Sequence, residues 1–376
     1  MNADHACPRY CPGCSHRELS EAQSLHRKSQ WVRQKLARWQ ERIAPIQGPS
    51  PEARTGYRDK VCLSASWEGQ IWHIGLVSGD AVVPIPKCPV HSRRTNAAAT
   101  CFARALPPSS DFPLLYYAQS GAQVTLVVKS RQMPAISWLD APFSARLENI
   151  GIEGVWLHRH PSAGRRVFAK NWWDLLWGKA RSMDRQGLAY GPTAFQQLIP
   201  ELYEQALDEA QNFLTAGPDD LVLDLYCGTG GGLSRWCHAS GHVIGVELSG
   251  ESISCARENA PAAIIYRGSC RHRLPQLTRE LKKCAGRRLL FVNPPRTGIE
   301  PELCHWITSL CRPDRIAYLS CSAGTLQRDL KDLETKGYRV EQITPYDFFP
   351  QTHHAEILAL ARLPEKTGQN PDAAHR

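Results

Sequence analysis

The second half of the chain most constrains the fold, because short apolar runs alternate there with helical stretches. Between residues 221 and 321 the strand-like runs are "LVLDLY", "HVIGVEL", "AAIIYRG", "RLLFVNPP" and "RIAYLSC". Strands that are apolar throughout and separated by helices are typical of a parallel sheet covered on both faces. The sequence therefore predicts an α/β fold, with a doubly wound sheet in residues 191–365 and ligands at the carboxyl ends of its strands.

Two regions of different pattern precede this sheet, and a short tail follows it. Residues 1–95 contain the stretch "SEAQSLHRKSQWVRQKLARWQERI", a predicted helix with a capping box at Ser20 and Gln23. Its apolar residues recur at helical spacing and are Leu25, Val32, Leu36, Trp39 and Ile43. Residues 96–190 contain β-rich runs between Pro and Gly turns, which predicts a central β-rich domain. Residues 366–376 are polar, and we predict a disordered tail there.

The net charge and the cysteine content of the chain indicate which kind of partner it binds and in which cellular compartment it works. The formal charge of +9 favours a polyanionic partner. The predicted N-terminal helix contributes to it with basic side chains that face either solvent or RNA, namely Arg27, Lys28, Arg33, Lys35, Arg38 and Arg42. No apolar run approaches the length of a membrane span, and the N-terminus lacks a signal-peptide pattern. We therefore expect a soluble, cytoplasmic protein without a membrane partner, whose clustered cysteines serve metal binding or catalysis.

The turn after the first strand of the predicted sheet has the composition of a nucleotide-binding turn. In "LVLDLYCGTGGGLSRW", Asp224 and Gly228 lie between a strand and a helix, and Glu247 ends the next strand, 23 residues after Asp224. This spacing suits a carboxylate that binds ribose hydroxyls, so a ribose-containing cofactor is expected. NAD and S-adenosylmethionine both remain possible at this point.

Two later strand ends carry polar residues that such a cofactor site could use. "FVNPPRTGI" supplies Asn293, followed by Arg296 where amine methyltransferases have an aromatic residue, which argues against amine methylation. A proline-rich strand exit is the structural alternative. Cys321 ends a strand ahead of a helix, whose N-terminus is expected to lower the pKa of the thiol. Glu356 begins the last apolar run, either as a charge-paired structural residue or as a functional carboxylate.

The cysteines near the N-terminus have a spacing that metal clusters use. Cys7, Cys11 and Cys14 form C-x3-C-x2-C, which in radical S-adenosylmethionine enzymes holds three irons of a four-iron cluster. A radical enzyme of this kind would have a barrel after the cysteines, and would leave Cys321 and Glu356 without a role.

Taken together, four motifs resemble those of the S-adenosylmethionine-dependent RNA 5-methyluridine methyltransferases. They are "DLYCGTGGG", "NPPRTGI", "SCSAGTLQRDL" and "DFFPQTHHAEIL", which match that family in order and spacing. The resemblance extends to "GYRDKVCLS" and "CPVHS" in the first region, and it looks closest to the compact bacterial members that modify 23S ribosomal RNA. It implies a C-terminal Rossmann-like class I methyltransferase domain, an N-terminal iron-sulfur region that contacts RNA and a central β-rich domain that binds RNA.

The resemblance also implies roles for individual residues. Cys321 matches the family nucleophile and Glu356 the proton acceptor. The residues matched to the S-adenosylmethionine site are Gln196, Asp224, Tyr226, Gly228, Glu247 and Asn293. Those matched to the ligands of a [4Fe-4S] cluster are Cys7, Cys11, Cys14 and Cys88. Leu198 and Ser269 depart from the family, which often has Asn and an acidic residue there, so weaker cofactor affinity is expected.

The implied activity is methyl transfer from S-adenosylmethionine to C5 of a uridine in RNA, through a covalent bond between Cys321 and C6. The uridine would be single-stranded or flipped out. The expected substrate is 23S ribosomal RNA, with transfer RNA as the alternative, and the protein is expected to be a monomer. The alternatives from other classes are the radical enzyme and a non-catalytic protein that binds RNA or assists ribosome assembly.

Overall fold

The computed structural model describes residues 7–164 and 166–364. The predicted tail at residues 366–376 therefore lies outside the described residues. Among the helices within the described ranges, none combines the length and apolar character needed to cross a membrane.

The N-terminal helix, α1 (Glu21–Lys35), packs against the C-terminal half of the molecule. Its capping box is confirmed, since the Ser20 side chain accepts the backbone N–H of Gln23 and the Gln23 side chain accepts that of Ser20. A 3-10 segment, Ala37–Arg42, follows it. Val32, Leu36, Trp39 and Ile43 are buried in one core with the C-terminal sheet, as their helical spacing suggested.

A seven-stranded mixed sheet forms the N-terminal half. In space its order is β3-β2-β1-β4-β5-β6-β7, and only β5 and β6 run parallel. The strands are β1 (Lys60–Glu68), β2 (Ile71–Ser78), β3 (Ala81–Pro84), β4 (Leu114–Ser120), β5 (Gln123–Val128), β6 (Gly154–Arg159) and β7 (Trp173–Gly178). Helices α2 (Arg93–Ala105) and α3 (Ala141–Ile150) contribute Phe102, Phe143 and Leu147 to the core of this sheet.

This sheet crosses the boundary that the sequence analysis placed between residues 95 and 96. Strand β1 pairs with β2 on one side and with β4 on the other, so strands from both predicted regions share one hydrogen-bonded ladder. The physical reason is that β1 to β3 alone would leave one face and one edge uncovered, whereas pairing with β4 buries Leu63 against Tyr117.

The C-terminal half contains the predicted doubly wound sheet. A two-stranded ribbon of β8 (Ser182–Met183) and β9 (Ala189–Tyr190) leads into it. Its strands are β10 (Leu221–Leu225), β11 (His242–Glu247), β12 (Ile264–Arg267), β13 (Arg288–Val292), β14 (Arg315–Ser320), β15 (Arg339–Tyr346) and β16 (Glu356–Arg362). Their order is β12-β11-β10-β13-β14-β16-β15, which is an open sheet rather than the barrel that a radical enzyme would require.

Helices cover both faces of this sheet. They are α4 (Pro200–Leu214), α5 (Gly231–Ala239), α6 (Gly250–Asn259), α7 (Cys270–Leu281), α8 (Pro301–Trp306) and α9 (Ala323–Thr335). Helix α4 begins at Pro200, which suits the first turn of a helix because proline lacks the N–H that would be unpaired there. Strand β10 shows the two-sided burial, since Leu223 faces one core and Val222 the other. This arrangement confirms the α/β fold predicted from the apolar runs.

Chain order in the sheet reverses beside β10, which pairs with β11 on one side and β13 on the other. A reversal of this kind leaves a crevice at the carboxyl ends of the strands. The last strand, β16, runs antiparallel to β14, with Ile357 opposite Ser320. Its first residue, Glu356, therefore lies at the same edge as the carboxyl ends of the parallel strands.

Leu36→Ala should lower the free energy of unfolding by about 3 kcal/mol, because Leu36 is fully buried and the truncation leaves a cavity between α1 and the C-terminal sheet. Chemical denaturation followed by circular dichroism measures the change. Leu310→Ala, at a side chain that is 57% exposed, is the control and should change stability by less than about 0.5 kcal/mol. Equal losses in the two variants would contradict the packing of α1 on this sheet.

Candidate active site

A cleft of about 1370 Å³ opens at the carboxyl ends of the C-terminal strands and extends toward the N-terminal sheet. It brings together every residue that the sequence analysis assigned to catalysis or to the cofactor. These residues are Gln196, Asp224, Tyr226, Gly228, Glu247, Asn293, Cys321 and Glu356. The cleft thus combines a nucleotide-type turn with a thiol and a carboxylate.

The turn after β10 is shaped by backbone conformations that leave room for a ligand. Tyr226 and Gly228 both have left-handed backbones, with φ of 62° and 57°. The Glu247 carboxylate accepts the backbone N–H of Gly228 at 3.1 Å and that of Ser249 at 2.7 Å. Glu247 therefore fixes the turn while its carboxylate lines the cleft.

Asp224 is a buried carboxylate with one oxygen available to a ligand. Its Oδ2 accepts the indole N–H of Trp236 at 3.0 Å, and no other described residue pairs with its Oδ1. Burial raises the pKa of Asp224 to about 7, with Glu247 adding to the effect and the Trp236 hydrogen bond opposing it. A Cβ on Gly232 would lie 2.6 Å from Oδ2, so glycine is required for this close approach.

Three more of the polar side chains singled out in the sequence, those of Tyr226, Asn293 and Gln196, line the same cleft. The Tyr226 hydroxyl donates to Glu300, a cleft residue that the sequence analysis did not identify. Asn293 follows β13, and its backbone N–H donates to the Leu225 carbonyl at 3.2 Å. Gln196 lines the cleft as expected, but its neighbour Gln197 also lines it and has a buried Oε1 that no described residue contacts. The sequence analysis matched only Gln196 to the family motif and did not identify Gln197.

Cys321 and Glu356 both line the cleft and adjoin one cross-strand pair, since Cys321 follows Ser320 and Glu356 precedes its partner Ile357. Glu356 is only 3% exposed, and its Oε2 has no partner among the described residues. Burial raises the pKa of Glu356 to about 7, and the Arg296 charge opposes this. Burial also raises the pKa of the Cys321 thiol, with Glu356 adding to the rise.

The expectation that the N-terminus of a helix lowers the pKa of Cys321 is therefore wrong. Although Cys321 precedes α9, burial and the neighbouring Glu356 outweigh any favourable effect of the helix. The group that favours the thiolate is Arg296, which lowers the pKa by its charge and by a hydrogen bond. The sequence analysis used Arg296 only to argue against amine methylation and missed this contact. The sequence signal that could have identified this contact is the position of Arg296 in "NPPR", directly after β13.

The two departures from the family motifs have structural roles in this chain. Ser269 caps α7, accepting the backbone N–H of His272 at 3.4 Å and contacting its ring Nδ1 at 2.9 Å. Leu198 is half-buried against the core beneath α4. Both residues line the cleft. Because one side chain is a hydroxyl and the other is aliphatic, neither offers a ligand the carboxylate or amide that the family has there.

The four cysteines assigned to a metal cluster come near one another beside the N-terminal sheet. The pKa of Cys14 is raised to about 11 by burial and by the Cys88, Cys11 and Cys7 thiols. Cys11 is buried in the core of that sheet, and Cys7 and Cys88 pack against it. Within residues 7–164 and 166–364, however, no three His, Cys, Asp or Glu side chains are arranged to hold a metal ion.

Comparison with known proteins gives matches over nearly the whole chain. Residues 272–362 match the family model described as tRNA (Uracil-5-)-methyltransferase. The 23S rRNA (uracil(1939)-C(5))-methyltransferase RlmD of Shewanella baltica is 28% identical over 377 aligned residues, covering 95% of this chain and 81% of the relative. An uncharacterized RNA methyltransferase of Lactobacillus johnsonii is 31% identical over 65% of this chain and 54% of its own length.

A solved structure shows the same fold. The crystal structure of Pyrococcus abyssi tRNA (uracil-54, C5)-methyltransferase in complex with S-adenosyl-L-homocysteine has a TM-score of 0.68 and 22% sequence identity. The match covers 94% of this chain and 86% of that one.

Glu356→Gln should stabilise the protein at high pH and leave it unchanged at low pH. The folded-state pKa of Glu356 is raised from 4.5 to about 7, so its contribution to stability is full below pH 4.5 and is lost as pH rises through 7. At pH 8 the variant should therefore gain up to about 3 kcal/mol over the wild type. Thermal unfolding at pH 4 and pH 8 measures this difference.

The control for this comparison is Glu148→Gln, at an exposed carboxylate of α3. Its melting temperature should equal that of the wild type at both pH values. A Glu356→Gln variant that followed the wild type in the same way would contradict a buried, unpaired carboxylate in the cleft.

Proposed function

We propose that this chain is a member of the S-adenosylmethionine-dependent RNA 5-methyluridine methyltransferases and methylates C5 of one specific uridine in 23S ribosomal RNA. The single observation that carries the proposal is the pairing of a thiol and an unpartnered buried carboxylate, Cys321 and Glu356, in one cleft with a nucleotide-type turn. A methyltransferase acting on an already nucleophilic atom needs neither group.

The residues at the turn after β10 fit S-adenosylmethionine. The unpaired Oδ1 of Asp224, the Glu247 carboxylate and the glycine positions offer acceptors and open backbone where a ribose and an amino acid moiety would lie. Gln196 or Gln197, with Tyr226 and Asn293, would hold the rest of the ligand. When bound there, the cofactor supplies an electrophilic methyl group.

Cys321 activates the uracil ring. Carbon 5 of uracil is too weakly nucleophilic to take a methyl group unaided, so the Cys321 thiolate adds to C6 and the electron pair of the C5=C6 bond forms an enolate. Arg296 supports this step, because its charge and hydrogen bond favour the thiolate that burial disfavours. C5 of the enolate then takes the methyl group.

Glu356 restores the ring. Its unpartnered Oε2 removes the proton from C5, the C5=C6 bond forms again and the Cys321 thiolate leaves C6. A pKa of about 7 suits a base that works near neutral pH, because a stronger base would be protonated and a weaker one would accept the proton poorly. The buried position also keeps bulk water from the adduct.

The cleft continues toward the N-terminal half, where both basic side chains and carboxylates such as Asp59, Glu201 and Glu251 line it. Its lining includes Lys60, Arg93, Arg94 and Arg185, contributed by the N-terminal half and by the β8–β9 ribbon. Similarity to a 23S ribosomal RNA enzyme over 95% of the chain favours ribosomal RNA over transfer RNA as the substrate. We propose that the protein acts in the cytoplasm as a monomer and binds this RNA with the target uridine flipped into the cleft.

We further propose that Cys7, Cys11, Cys14 and Cys88 hold a [4Fe-4S] cluster. The donor set suits it, since four thiolates complete the coordination of such a cluster, and burial together with the neighbouring cysteine thiols raises the pKa of Cys7, Cys14 and Cys88. The Arg17 guanidinium supports the loop by donating to the carbonyls of Pro8 at 3.0 Å and Cys11 at 2.7 Å. None of these four cysteines lines the methyl-transfer cleft, which suits a structural role for the cluster.

Cys321→Ala should abolish methyl transfer and leave S-adenosylmethionine binding within about twofold, because the thiol acts only on the uracil ring. Transfer of radiolabelled methyl to ribosomal RNA and isothermal titration with the cofactor measure the two effects. Cys304→Ala, a half-buried thiol of α8, is the matched control and should keep full activity. Full activity of Cys321→Ala would contradict the nucleophile.

Glu356→Gln should trap a covalent complex between protein and RNA, because the methylated adduct forms but cannot lose its C5 proton. A denaturing gel detects the complex as a band shifted by the mass of the RNA. Normal turnover without a shifted band would remove Glu356 from the role of base.

Cys88→Ala should lose the cluster, because three thiols cannot complete it. Iron and acid-labile sulfide per chain, measured on anaerobically purified protein, test this, and Cys101→Ala is the control at another half-buried thiol of the same domain core. Retained iron together with reductive cleavage of S-adenosylmethionine would support the radical enzyme instead.

A further inference from the structure

We propose that Lys28 is a positioning residue for the Glu356 carboxylate, acting through a buried ion pair with Asp347. This inference rests on the proposed function, because it takes Glu356 to be the base. Sequence analysis placed Lys28 with the other basic side chains of α1 and expected it to face solvent or RNA. In the structure it points the other way, into the protein.

Lys28 and Asp347 form an ion pair that is completely shielded from solvent. Both side chains are 0% exposed. The Lys28 ammonium donates to Asp347 Oδ1 and, at 3.0 Å, to the Phe349 carbonyl. A lysine is rarely buried unless it is paired, and burying both charges costs several kcal/mol that a solvent-exposed pair would avoid. Retaining such a pair is most readily explained by a need to fix the segment that it holds.

That segment is the connection from β15 to β16, which ends at Glu356. It is held at several points by the first part of the chain. The Asp347 N–H donates to the Gln47 carbonyl at 2.8 Å, and the Tyr57 hydroxyl donates to the Pro350 carbonyl at 2.9 Å. The backbone N–H of His16 donates to the Gln351 carbonyl at 2.9 Å. Lys28 is one of two charged side chains among these contacts, and the other, Arg54, lies at 3.4 Å from Asp347 Oδ2.

The connection has hydrogen bonds of its own only in part: the Phe349 carbonyl accepts the backbone N–H and the hydroxyl of Thr352, and that hydroxyl accepts the His354 N–H. It contains neither a helix nor a strand between Tyr346 and Glu356, and Gln351 has a left-handed backbone with φ of 69°, which is unfavourable for a residue with a side chain. The Glu356 Oε2 has no hydrogen-bond partner among the described residues. The position of the carboxylate therefore depends both on the strand pairing of β16, where Glu356 lies opposite Tyr346, and on the preceding connection, which α1 and its neighbours hold.

Loss of the ion pair should slow proton removal more than it slows addition of Cys321. The thiol sits after β14, a central strand that Lys28 does not touch, whereas Glu356 follows directly from the segment that Lys28 holds. A displacement of the base by about 1 Å can slow its step 10- to 100-fold. The methylated covalent adduct should then build up, which a general loss of folded protein would not cause.

For the test, each variant is incubated with S-adenosylmethionine and ribosomal RNA. Two quantities are measured: the fraction of enzyme in the denaturant-resistant adduct and the rate at which methylated RNA is released. Lys28→Met should raise the adduct fraction above that of the wild type and slow release by about tenfold or more. Asp220→Asn is the control, because Asp220, whose side chain is 9% exposed, pairs with Arg287 at the opposite end of β10. It should leave the adduct fraction unchanged.

A second variant guards against misfolding of Lys28→Met, which leaves Asp347 with only the more distant Arg54 at 3.4 Å. The double variant Lys28→Met/Asp347→Asn removes both charges, while Arg54 keeps Glu21 at 3.2 Å. It should fold and still accumulate adduct. Failure of both variants to fold would make the pair a folding element and overturn the inference.

The remaining outcomes separate this inference from the proposed function. Suppose that Glu356→Gln accumulates adduct, that neither Lys28 variant does, and that the activity of the Lys28 variants falls only in proportion to their folded fraction. This result would overturn the positioning role of Lys28 and leave Glu356 as the base. Absence of adduct in Glu356→Gln itself would contradict the proposed function, and the positioning role with it.

Discussion

The antiparallel pairing of β16 with β14 is the constraint on which the rest of the site depends. It sets Ile357 opposite Ser320. Glu356, which begins β16, therefore lies beside Cys321, which follows β14. A parallel strand in the same place would start at the far edge of the sheet and leave the thiol without a base. The connection that turns the chain around between β15 and β16 is therefore as much a part of the site as the side chains themselves.

The second constraint is the low-dielectric surroundings of this pair. Burial raises the pKa of Glu356 to about 7 and also raises that of Cys321, so the site keeps a base near neutrality while disfavouring the thiolate that begins the reaction. Arg296 offsets this by favouring both charged forms. One cation whose charge acts on both the nucleophile and the base lets a buried site hold two potentially negative groups, which would otherwise repel each other.

The sequence predicted those parts of the molecule that depend on local pattern. Apolar runs located five strands of the C-terminal sheet, and residues after strand ends such as Asp224 and Asn293 do meet in one cleft. What it could not predict depends on long-range packing. By composition Lys28 belongs to a basic helix, yet its side chain is buried in an ion pair with Asp347, 319 residues away in the chain. The boundary at residue 95 fails because strand pairing, not composition, joins β1 to β4. The pKa of Cys321 likewise follows from burial and from Glu356 rather than from the adjacent helix.

The central claim is that this chain places a methyl group on C5 of a single uridine, and direct mapping of the modified RNA tests it most sharply. Purified protein is incubated with methyl-labelled S-adenosylmethionine and either unmodified 23S ribosomal RNA or transfer RNA, and the digested RNA is read by mass spectrometry. The account predicts 5-methyluridine at one position of 23S ribosomal RNA. A label on a base other than uracil, on the ribose, or on uracil atoms other than C5 would contradict it, as would methylation of the transfer RNA alone.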